Sequence, residues 1–169
     1  MRKPLRVVLV LVGVYLLICV AAYLVQRRLQ YFPDARAPHR PRGGAFADLV
    51  DVELEAADGT ALKAWYWPGR RDLTLLVLHG NAGNRADRLD WMAPFHARGW
   101  GVFLLDYRGY GGSGGVPTEA GFALDADAAH AWLVAHGVER IVPIGESIGG
   151  GVAVPLAARK PVTGLVVQC

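Results

Sequence analysis

The sequence has 169 residues, 53% of them hydrophobic and 20% charged, with a mean hydropathy of +0.25 and a formal charge of +3. That apolar fraction excludes a disordered chain, the length fits one domain, and Cys19 and Cys169 alone form neither a disulfide framework nor a metal cluster. The charge is split: residues 1–43 hold eight Lys/Arg against Asp34, a balance of +7, and residues 44–169 hold ten against fourteen acids, a balance of −4. A globular part of that sign is not built for nucleic acid.

The run Val7–Val25 contains no charge. As a helix it rises about 28 Å, the thickness of a hydrocarbon core. Arg2, Lys3 and Arg6 precede it, Arg27 and Arg28 follow, and Tyr23, Tyr31 and Phe32 lie near the outgoing boundary, where amphipathic rings favour the interface. A cleaved signal is the competing reading, with Val20-Ala21-Ala22 as its small-residue site. The run exceeds the usual signal core of roughly 7–15 residues, so residues 1–30 are expected to be a retained single-pass anchor. Basic residues flank both ends, so charge does not fix its direction.

Residues 31–48, rich in Pro, Arg and Gly, read as a linker, and 49–169 as the globular part. Leu49–Ala56 alternates as a half-buried strand, Asp58-Gly59 supplies a turn, and Leu62–Trp67 returns as the second strand of a hairpin. Leu73–Leu78, Val102–Leu105 and Ile141–Ile144 are short apolar runs of the kind covered on both faces, and Val162–Val167 is a fourth, weakened by Gly164. Helical spacing fills the intervals. Residues 84–97 place Leu89, Met92, Ala93 and His96 on one side, and Thr118–His136 begins at Thr118 as N-cap with Phe122, Ala126, Ala129 and Leu133 inward. Gly149–Ala158 is a helix of small residues. Strand and helix alternating after a hairpin predict an α/β fold with a mostly parallel sheet covered on both faces.

Three glycine-rich segments compete for chemistry. Gly145-Glu146-Ser147-Ile148-Gly149 fits G-x-S-x-G between a strand and a helix. A sharp turn there aims the serine hydroxyl outward, and the Ile148 N–H at the helix start faces a developing oxyanion. Gly109–Gly114 mimics a dinucleotide loop and Ser113 a second G-x-S-x-G, but Gly115-Val116-Pro117 separates them from the helix, and Asp125 and Asp127 fall inside it. A loop rimming a cleft is the expectation. His79-Gly80-Asn81-Ala82-Gly83-Asn84 leaves the Leu73–Leu78 strand at the end where open α/β sheets bind ligands. The Asn81 N–H is the candidate second oxyanion donor, and His79 is expected to brace the loop.

HGNAGN, then LLDYRGYGGSGG, then GESIGG, in that order and each after a strand, resemble the α/β-hydrolase superfamily. With YLVQRRLQYFP beside the apolar run, the chain is similar to single-pass membrane hydrolases with serine-aminopeptidase-like domains. The resemblance implies Ser147 as nucleophile, with the Ile148 and Asn81 amides as oxyanion hole. It leaves Asp106 and Arg108 structural, and implies no cofactor and no metal. The family order is nucleophile, acid, histidine, yet no Asp, Glu or His follows Ser147. His96, His130 and His136 fall on helices or their ends, where surface or helix-end roles are expected, and His39 in the linker. The expectation is the N-terminal part of a hydrolase of ester, thioester or amide bonds, inactive alone, with a small molecule or peptide as substrate. The alternative is a non-catalytic membrane-tethered α/β domain. The expected location is a bacterial inner membrane.

Overall fold

The computed structural model describes residues 2–70 and 72–168, in two units divided after Tyr31. The first unit is one helix, α1 (Arg2–Gln30). Its segment Lys3–Gln26 is long and apolar enough to cross a membrane, and a signal sequence meets the same criterion.

The second unit is an α/β domain. Two short strands, β1 (Phe32–Pro33) and β5 (Ala82–Gly83), pair in parallel. The main sheet holds β2 (Val50–Glu55), β3 (Ala61–Trp67), β4 (Leu73–Leu78), β6 (Gly101–Asp106), β7 (Arg140–Glu146) and β8 (Val166–Gln168). Their spatial order is β2-β3-β6-β4-β7-β8. The β2–β3 hairpin joins antiparallel to β6, and β6, β4, β7 and β8 run parallel. Helices α2 (Leu89–Ala97), α3 (Glu119–Ala135) and α4 (Gly150–Arg159) are the crossovers.

Strand alternation sorts the core into two faces. Trp65, Trp67, Leu75, Val77, Val102 and Leu104 pack with Leu89 and Met92 of α2. On the other side Trp132 of α3 lies 5.4 Å from Tyr66 and 5.2 Å from Phe103, and α3 and α4 contact each other. Thr118 caps α3, its hydroxyl accepting from the Gly121 N–H at 2.9 Å, and Phe122, Ala126, Ala129 and Leu133 are buried as the spacing predicts.

Some expectations shift. The helix predicted over 84–97 begins as a 3₁₀ turn, Arg85–Arg88, because Asn84 and Asp87 form a reciprocal capping box. Among the described residues the last strand begins only at Val166, and the Thr163 N–H instead donates to the Ile141 carbonyl of β7 at 2.8 Å. His130 is buried rather than superficial, with Nε2 2.9 Å from the Pro161 carbonyl, because α3 and the turn after α4 close over it. Residues 32–40 bond to the domain: the Asp34 and Ala35 carbonyls accept from Gly111 and Gly112, and the Arg40 guanidinium donates to Asp51 at 2.8 Å and to the Leu49 carbonyl.

Candidate active site

After β4 the chain moves to one side to build β6, then returns across β4 to build β7 on the other. The order reverses between β4 and β7, and in open α/β sheets that reversal opens a crevice at the carboxyl edge. Leu78 and Gly145 are register partners at this edge. His79-Gly80-Asn81 and Glu146-Ser147 therefore leave neighbouring strand ends.

Ser147 has φ 51°, the only positive value at a non-glycine among the described residues. It is exposed, and it opens the 3₁₀ turn Ser147–Gly149 that feeds α4. Both motif glycines are forced by close approach. A Cβ on Gly149 would overlap the Leu78 carbonyl oxygen, and one on Gly145 would stand 2.5 Å from the Gly149 carbonyl oxygen. The left-handed residue thus projects outward while the turn behind it presses on the β4 edge. Ile148 sits in the first turn, where N–H groups have no intrahelical partner.

The Asn81 loop is held from several directions. Tyr110 Oη donates to the Asn81 carbonyl at 2.9 Å, and the Phe32 N–H donates to Asn81 Oδ1 at 3.2 Å. The Gly80 N–H donates to Glu146 Oε2 at 3.3 Å, which joins the loop to the residue before Ser147. Arg88 grips the same carboxylate through Nε at 2.9 Å and Nη2 at 3.2 Å. Burial works against the charge on Glu146, and the Arg88 bonds more than offset it, leaving the carboxyl below the usual glutamate range.

His79 is almost fully buried, with Nδ1 2.8 Å from the Gly80 carbonyl and its ring packed on Tyr107 and Tyr110 at 4.6 and 5.1 Å. Its Nε2 lies 3.4 Å from Asp106 Oδ1 without hydrogen-bond alignment. Asp106 in turn accepts from the Arg85 N–H at 2.7 Å and pairs with the Arg85 guanidinium. These groups brace the loop from below. Arg108 is likewise committed, to Asp125 at 2.7 Å and Asp58 at 2.7 Å.

The competing serine is excluded by its bonds. Ser113 Oγ donates to the Asp106 carbonyl and accepts from the Lys63 N–H, both at 2.9 Å. The Gly109–Gly114 loop spends its N–H groups inside the protein as well: Gly109 on Gly114, Gly111 on Asp34, Gly112 on Ala35 and Gly114 on Ala61. No phosphate cradle remains. His96 of α2 stacks on Trp67 at 3.8 Å and His136, just after α3, on Trp132 at 3.6 Å, both away from the carboxyl edge.

The Arg88–Glu146 pair is the feature that residue reading misses. An acid immediately before the serine is visible in the sequence, but its partner lies 58 positions away. Asp87, Arg88, Trp91, Glu146 and Gln168 line an open cavity of about 370 Å³ beside the serine turn.

Residues 74–169 match the alpha/beta hydrolase fold family. The chain belongs to the α/β-hydrolase family. An uncharacterized protein of Mycobacterium tuberculosis is 42% identical over 149 residues, covering 85% of this chain and 53% of that protein. The protein bem46 of Schizosaccharomyces pombe is 36% identical over 151 residues, 82% of this chain and 50% of its own length. Among solved structures, an esterase of Pyrococcus furiosus superposes with a TM-score of 0.64 at 26% identity, over 78% of this chain and 55% of the esterase. This α/β hydrolase spans about half the length of the relatives it matches.

Proposed function

We propose that this α/β hydrolase contributes the nucleophile half of a serine-hydrolase site acting on ester, thioester or amide bonds. The observation that carries the reading is the left-handed, exposed Ser147 between β7 and a helix start, with the Asn81 loop leaving the neighbouring strand end. Ser147 Oγ attacks the acyl carbon, and the Asn81 and Ile148 N–H groups receive the oxyanion. The acyl–oxygen bond to Ser147 forms and the bond to the leaving alcohol, thiol or amine breaks. The serine proton passes to a base and from it to the leaving group. Water, deprotonated by the same base, then attacks the acyl carbon, the bond to Ser147 Oγ breaks, and the carboxylic acid leaves as the serine regains its proton.

That base is an imidazole oriented by a carboxylate in this family order, and no Asp, Glu or His follows Ser147 in the sequence. In this reading the two belong to the part of the relatives' length that this chain does not span. The 169-residue chain alone should turn over p-nitrophenyl acetate at a rate near background. The apolar helix serves as a single-pass anchor, with a bacterial inner membrane as the proposed location. The second reading is a tethered domain that binds without turnover.

Fluorophosphonate labelling of a protein extended to the relatives' length separates the two. Label is expected on Ser147 and lost in Ser147→Ala. Absence of any label supports the non-catalytic reading, and label that survives Ser147→Ala overturns the nucleophile assignment.

A further inference from the structure

One ion pair holds the Asn81 loop from both sides. The Glu146 carboxylate, on the residue before Ser147, accepts from the Gly80 N–H at 3.3 Å and is forked by Arg88 through Nε at 2.9 Å and Nη2 at 3.2 Å. The remaining nitrogen of that guanidinium, Nη1, donates to the Ala82 carbonyl at 2.9 Å and to the Asn84 carbonyl at 3.4 Å. Asn81 therefore lies between two residues that the pair holds, Gly80 on the carboxylate and Ala82 on the guanidinium.

The glycines of His79-Gly80-Asn81-Ala82-Gly83-Asn84 make room for this clamp. A Cβ on Gly80 would stand 3.2 Å from Glu146 Oε1. One on Gly83, where φ is 78°, would stand 3.0 Å from Arg88 Nη1 and overlap the Asp87 carboxylate. The Arg88 side chain is only 10% exposed, so water competes little with these bonds, and a two-pronged fork fixes direction as well as distance. Two other bonds reach Asn81 itself. The Phe32 N–H, from a strap of residues 32–35, donates to its side chain at 3.2 Å, and Tyr110 Oη to its carbonyl at 2.9 Å. Neither of these joins the loop to the serine turn, whereas Glu146 does so from the residue next to the nucleophile.

An oxyanion donor stabilises the transition state only when it already stands within a few tenths of an ångström of where the charge develops. A loop left to order itself at that moment would add its entropy to the barrier. Resting on the nucleophile and oxyanion readings above, we infer that Glu146 and Arg88 are positioning residues. The pair sets the Asn81 N–H at a fixed distance from Ser147 Oγ, so that the Asn81 and Ile148 donors converge on one oxygen. The carboxylate and the guanidinium themselves act through the loop and exchange no proton with the substrate.

Hydrogen exchange and kinetics test this. In the full 169-residue chain in detergent, Glu146→Ala should quicken amide exchange at Gly80 about tenfold or more, while amides of β4 and β6 stay within about twofold. In the protein extended to the relatives' length, Glu146→Ala and Arg88→Ala should each lower kcat on p-nitrophenyl acetate about tenfold or more, with KM within about twofold, because the loss falls on the transition state. Glu146→Gln keeps an acceptor for the Gly80 N–H and should recover most of that loss. Unchanged Gly80 exchange in Glu146→Ala, a loss carried by KM, or a glutamine variant no better than the alanine one overturns the inference. Exchange that quickens throughout β4 and β6 overturns it too, since the pair would then hold the fold and not the loop. Fluorophosphonate labelling tells this failure from that of the nucleophile reading. No label on Ser147 in the unsubstituted extended protein takes down both. Label that forms on Ser147 as fast in Glu146→Ala as in the unsubstituted protein takes down the inference alone.

Discussion

Ser147 holds a left-handed backbone that costs an L-residue about 1–2 kcal/mol, and the pressure of the Gly149 turn on Leu78 holds it there. Ser147→Gly should therefore raise stability by about 1 kcal/mol over Ser147→Ala, because both lose the hydroxyl and only glycine relieves the φ. Urea midpoints of the two variants in the same detergent check this. Gly149 and Gly151 make a second pair. A methyl at 149 overlaps the Leu78 carbonyl oxygen, and one at 151, in α4, meets nothing within 4 Å. Gly149→Ala should cost about 3 kcal/mol. Gly151→Ala should gain up to about 1 kcal/mol from helix propensity. Thermal melts showing the two with the same sign would contradict the packing described.

Between elements, Arg108 ties the β6 end to α3 through Asp125, which is fully buried, and to the β2–β3 turn through Asp58, which is partly exposed. Burial pushes the Asp125 carboxyl up, and the Arg108 hydrogen bonds pull against it without cancelling it. Asp58 moves the opposite way, held well below its ordinary range first by the Arg108 hydrogen bonds and then by Thr60. A raised carboxyl costs the fold stability above its folded pKa, and the cost is relieved as pH falls through that value. A depressed one contributes stability above about pH 4, lost as pH falls toward its folded pKa. Arg108→Ala removes the only cation on Asp125 among the described ion pairs and should cost about 3–5 kcal/mol at pH 7. That cost should shrink toward pH 5 as the isolated carboxyl takes up a proton. A loss that is constant or grows on acidification, in urea titrations at the two pH values, would place the contribution of Arg108 in packing instead.

Among the described residues the sheet has unequal edges. β2 ends the hairpin side with alternating burial, whereas all three residues of β8 are exposed and Val166 and Val167 are each 47% accessible. An apolar edge with open N–H and C=O groups is a template for strand addition. Val166→Lys should lower concentration-dependent association of the detergent-solubilised chain, read by light scattering, with little change in the thermal midpoint. Unchanged scattering would locate the association elsewhere.

The sequence by itself determined the α/β pattern, the Thr118 cap and the strand–turn–helix setting of Ser147, because periodicity, capping chemistry and glycine spacing act over a few neighbouring residues. It also separated Gly145–Gly149 from its imitator at Gly111–Gly115 by the distance of each from a helix start. Only tertiary structure decided what each loop is tied to. The choice of Arg88 for Glu146, of Asp106 for Arg85 and of the 32–35 strap for Asn81 and Gly111 depends on the strand order, which brings residues 21 to 77 positions apart to one edge. His130 followed the same rule: its place on a helix was local, and its burial waited on the turn after α4. Local free energy selects elements, but a charge or an amide finds its partner only once the packed sheet has removed water from between them.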